Sequence, residues 1–156
     1  MKTLYSFAWW CAYISGALFV QRFIPGVDAL APGFLISLQE ENRRQCFWLF
    51  ILFTLIQEGT GSLLFGAAAL WYGVQMLLFR IGSVIFVKDN IIFIALYSGC
   101  LGVYHFLLTW LMCAVQGVHM NFETLLGESV IQTLIIPLIW AVAHIVKPGN
   151  AAGGAQ

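Results

Sequence analysis

The residues that could do chemistry are few, and most sit inside apolar runs. Glu58 closes one such run and opens the small-residue stretch Gly59-Thr60-Gly61-Ser62. An ionisable side chain at membrane depth is expensive to hold, so it is a functional candidate by default. Glu58 has two readings. It is a membrane-edge residue capping the next helix, or it belongs to a buried turn that lines a cavity or meets a partner. Gly66 and Gly73 follow, seven residues apart and therefore on one helical face, where a second helix can approach closely. Glu128 and Gln132 lie four apart in the last apolar run, hence on one face as well. Pro137 removes a backbone hydrogen bond further in and can kink that helix. Glu128 is then either the rim of an outward-opening polar notch or a plain interfacial carboxylate.

The histidines and cysteines argue against a metal or cofactor. Bis-histidine haem ligation needs two rings at matching depth. His105 lies ~22 Å from the inner end of its run and His144 only ~5 Å from the inner end of its own, at 1.5 Å per residue. His119 falls in an outer loop, and His105 is expected to hydrogen-bond between helices. Cys11, Cys46, Cys100 and Cys113 have no CxxC spacing and serve as small apolar filler. There is no nucleophile with a base at helical spacing, no paired carboxylates at one depth and no phosphate loop. Neither enzymatic activity nor a cofactor is expected.

The elements that hold these residues follow from composition. Of 156 residues 61% are hydrophobic and 9% charged, seven basic against seven acidic. A soluble domain carries roughly 25% charged residues. Mean hydropathy is +0.89. Disorder, a basic nucleic-acid binder and almost any soluble enzyme are excluded; the class is an all-α integral membrane protein. Apolar runs cover residues 4–20, 46–56, 63–79, 91–113 and 124–146, with a short one at 29–39. The first lacks an A-x-A cleavage site and is taken as an uncleaved helix. This gives about six transmembrane helices in one domain over 1–146, the second short or broken near Pro32. Residues 147–156 are expected to be a disordered cytoplasmic tail. Trp9, Trp10 and Trp48 are placed at span ends, in interfacial belts.

With 29–39 as a span, Lys2, Arg43, Arg44, Arg80, Lys88 and Lys147 fall on one side and Arg22 alone on the other. Six against one puts the C-terminus in the cytoplasm. The N-terminus follows it only if 29–39 spans. Asp28, Glu58, Glu123 and Glu128 then lie toward the outside.

The chain resembles the rod-shape-determining MreD family of the bacterial inner membrane. The stretch 18–36, with Pro25, Pro32 and Phe34-Leu35-Ile36, looks like the family's first break and its Pro-led apolar segment. The stretch 55–70 looks like its most recognisable segment: an acidic helix end, a small-residue turn and a step into an Ala-rich helix. The end, 127–145 with Gln132 and Pro137, is similar to its last span. One departure is clear: the family usually has an Asp near the position of Gln57, and here the nearest acid is Glu58, about 100° further round a helix.

The resemblance implies a fold like the substrate-binding subunits of energy-coupling-factor transporters and no enzyme activity. It implies a scaffold of the cell-elongation machinery that binds the bitopic protein MreC and, through it, the actin-like filament and the peptidoglycan synthases. Two other functions compete. A vitamin-type binding subunit of an energy-coupling-factor transporter would line an outward pocket with Glu58, Asn121, Glu128 and Gln132. A membrane anchor of a redox enzyme would use His105 as ligand.

Overall fold

The structure, a computed structural model, describes residues 2–24, 26–60, 66–119 and 121–146, with side chains from Tyr5 onward. These residues form six helices: α1 (Lys2–Phe23), α2 (Ala31–Gln39), α3 (Arg43–Thr60), α4 (Ala67–Ile85), α5 (Ile91–Gln116) and α6 (Phe122–Val146). Three of them, α4, α5 and α6, are long and apolar enough to cross a membrane. The tail expected at 147–156 lies outside the described residues.

The helix ends have local causes. Pro32 sits in the first turn of α2, where its missing N–H is an orphan anyway, so it starts the helix rather than breaking it. The Asn90 side chain accepts from the Ile92 N–H at 2.9 Å and opens α5. Gly117, at φ 65°, closes α5 with bonds back to Ala114 and Cys113. Two expectations are corrected here. The polar run 57–60, read as a break, is the last turn of α3. Gly66 has φ 98° and stands just before α4, so it makes a turn and shares no helical face with Gly73.

The core is built around α2. Every residue from Ala31 to Leu38 is buried, and the helix packs against α3, α4 and α6. Phe34 lies against Phe50, Phe53 and Tyr72, with ring centroids 5.3 Å apart for the Tyr72 pair. A nine-residue helix is only ~13 Å long, about half of a hydrocarbon core. α1 stands further off and is joined to the bundle by long side chains. Trp10 packs against Phe53, and the Tyr13 hydroxyl donates to the Ala29 carbonyl at 2.9 Å. Trp10 is therefore buried, whereas Trp48 is exposed as a belt residue would be.

At the far end of α2, Gln39 Nε2 donates to the Lys88 carbonyl at 2.7 Å, and Trp140 Nε1 donates to Gln39 Oε1 at 2.8 Å. Lys88 also pairs with Glu41. The 40–42 and 86–90 connections thus meet at one end of the bundle, beside the C-terminal part of α6. Arg43, Arg44 and Lys88 gather there.

Candidate functional site

The polar centre of the protein is Asp28, in the connection between α1 and α2. Its side chain is buried, at 8% exposure. Five donors converge on its carboxylate. Oδ1 accepts from the Leu30 N–H at 2.8 Å, Gln57 Nε2 at 2.7 Å and Gln21 Nε2 at 3.1 Å. Oδ2 accepts from Trp71 Nε1 at 2.7 Å and the Tyr72 hydroxyl at 2.8 Å. The main chain of Asp28 is held too. Its N–H donates to Gln132 Oε1 at 2.8 Å, and its carbonyl accepts from Gln132 Nε2 at 3.1 Å. One residue therefore ties together α1, α3, α4, α6 and the start of α2.

Each partner follows from its helix. Gln21 and Gln57 lie near the C-terminal ends of α1 and α3, which both point toward this connection. Trp71 and Tyr72 occupy the second turn of α4, and Gln132 lies on the buried face of α6 with Ser129, Ile136 and Trp140. A carboxylate moved out of water costs several kcal/mol unless hydrogen bonds replace its hydration. Here the replacement is complete on both oxygens. Irregular backbone at this depth is tolerated because the 28–30 stretch is enclosed by protein.

Trp71 stacks on Tyr104 and meets the edge of His105, with ring centroids 5.8 and 5.6 Å apart. His105 Nδ1 lies 3.2 Å from the Ser129 hydroxyl, the α5–α6 hydrogen bond expected of it. His144 stacks on Trp140. Among the described residues no three His, Cys, Asp or Glu side chains come together as a metal site would require. The four cysteines are free thiols.

The residues singled out in the sequence fall in several places. Glu58 Oε1 accepts from the N–H groups of Gly66 and Ala68, at 3.0 and 2.9 Å. It caps α4 from a distance in sequence. Gly59 is in the last turn of α3 with open space beside it, and Gly61 lies outside the described residues. Gly73 is exposed on α4, and nothing lies within 4 Å of where a Cβ would be. Glu128 and Gln132 do share a face, and that face meets the 26–28 connection. Glu128 lies over Gly26, which has φ 82°, so the chain itself covers the place where one of the two readings put an open notch. α6 continues through Pro137.

The missed residues are Asp28, Gln21, Gln57, Trp71 and Tyr72. A signal was present: long polar side chains inside apolar runs, with one buried-segment acid able to accept from them. Comparison with protein-family models, with curated proteins and with solved structures finds no match for the chain.

Between α1 and α6 runs an apolar groove of about 360 Å³, with Trp9, Tyr13, Gly16, Val20, Ile139 and Ala143 among its lining residues. Tyr13 and Ala29 both line the groove, and Ala29 follows Asp28 directly in the chain.

Proposed function

We propose that this chain is a non-enzymatic scaffold subunit of the bacterial cell-elongation machinery in the inner membrane. It crosses that membrane six times, with the 24–30 stretch and α2 together forming the second crossing and both termini in the cytoplasm. Its partner is a bitopic protein of the MreC type, which links it to the actin-like filament and the peptidoglycan synthases. A chain with almost no soluble mass acts through lipid-facing surfaces, short connections or an internal cavity.

The observation that carries this reading is that three of the four polar side chains expected to line a ligand pocket are already bonded within the chain. Glu58 caps α4, the Asn121 side chain accepts from the Glu123 N–H, and Gln132 clamps Asp28. This favours a scaffold over the vitamin-binding alternative. The Asp28–Gln57 bond also bears on the departure from the MreD pattern. The acid missing at position 57 is supplied from position 28, against the Gln57 amide. The exposed face of α4 bearing Leu70, Gly73, Leu77 and Ile81 is where the partner's single span docks.

Co-purification in detergent with a bitopic coiled-coil protein, and loss of rod shape on deletion, are the expected results. A deletion strain that keeps its shape would overturn the proposal. A thermal-shift response to a vitamin would favour the transporter reading instead.

A further inference from the structure

Beyond the Asp28 cluster, two fully buried polar side chains among the described residues make no hydrogen bond within the chain. Ser37 on α2 and Gln75 on α4 are both 0% exposed, and the Ser37 hydroxyl, Gln75 Oε1 and Gln75 Nε2 have no protein partner. The two lie on neighbouring helices that run the same way. α2 and α4 meet at Asp28 with Trp71 and Tyr72 near their starts, and again at Gln39 with Lys88 past their ends. Phe34 packs on Tyr72, and Ser37 and Gln75 each follow by three residues, about one turn on. The Tyr97 hydroxyl, donating to the Gln75 carbonyl at 3.2 Å, brings α5 to the same place.

We infer that Ser37, Gln75 and Tyr97 enclose an internal water site between α2, α4 and α5. A buried amide offers donors and acceptors together, and a hydroxyl does the same. Water is the ligand that satisfies both kinds, and a buried water takes about three such bonds. The donor set contains no carboxylate for a cation and no cation for an anion. Burial excludes lipid. Left unpaired inside a membrane protein, these atoms would oppose folding. The site is separate from Asp28, whose own acceptors are filled, and it does not depend on the scaffold assignment.

Two measurements on the full chain in nanodiscs test this. The first is radiolytic hydroxyl labelling of the unaltered protein. A held water makes a buried neighbour reactive, so Tyr97 (4% exposed) is expected to be oxidised several-fold faster than Tyr72 (0% exposed), whose hydroxyl is engaged by Asp28. Equal rates would overturn the proposal. The second is a double-mutant cycle on the apparent melting temperature. Ser37→Ala and Gln75→Leu should each lower it by about 2–6 °C. Their effects should fall short of additive, because either change disrupts the same water. A rise in melting temperature for Gln75→Leu, or strict additivity, would contradict a shared water. If Gln75→Leu does not fold, the labelling comparison decides alone.

Discussion

The donors around Asp28 are all neutral: one main-chain amide, two glutamine amides, an indole and a phenol. Neutral donors leave the position sensitive to a single atom. Asp28→Asn turns one acceptor into a donor facing other donors, which should cost about 2–3 kcal/mol. Trp71→Phe removes the indole donor and keeps an aromatic ring, for an expected loss of about 1.5–3 kcal/mol. Thermal unfolding in detergent checks both. At this scale the sequence was only partly legible. Glu128 and Gln132 fell on one face as their spacing required, and His105 found an inter-helix partner. Asp28 was invisible because its role depends on residues 43 and 104 positions away, in α4 and α6.

Helix length and turn geometry set how α2 is carried. α2 has nine residues, and the 26–30 connection folds back into the bundle ahead of it. Gly26 makes that fold possible. It has a positive φ, and a Cβ there would run into the Glu128 carboxyl. Gly26→Ala should therefore destabilise mainly through backbone strain, since the Glu128 carboxyl ends a flexible side chain and can move aside. Adding Glu128→Ala should recover little of the lost melting temperature, and a comparison of the two variants checks this. Gly66→Ala carries φ strain without a neighbour, so roughly 1 kcal/mol is expected. The long helices were legible from apolar run length. Their ends were not: run length cannot see that Gln57–Thr60 continues α3 while Glu58 reaches forward to cap α4.

Across the whole molecule, charge and apolar surface divide the work. Arg43, Arg44 and Lys88 lie at the end where α2 and α4 finish. The outer surface of the helices is apolar, and exposed Leu, Val and Ile side chains cover α4, α5 and α6. Gly73 interrupts that surface on α4. Gly73→Trp is expected to leave the melting temperature of the isolated protein within about 2 °C, since surface substitutions change stability little. The same change should abolish co-purification with the bitopic partner. Retained co-purification would move the docking face elsewhere.

One buried carboxylate, held by five donors, locks the nine-residue α2 into the bundle. The melting temperature of Asp28→Asn, alone and with Gln57→Glu, which returns a carboxylate to the cluster from α3, tests this. Asp28→Asn should lower it by roughly 5–10 °C. The double variant should recover at least half of that fall, although Gln57→Glu alone is destabilising. An Asp28→Asn protein that melts with the wild type would contradict it.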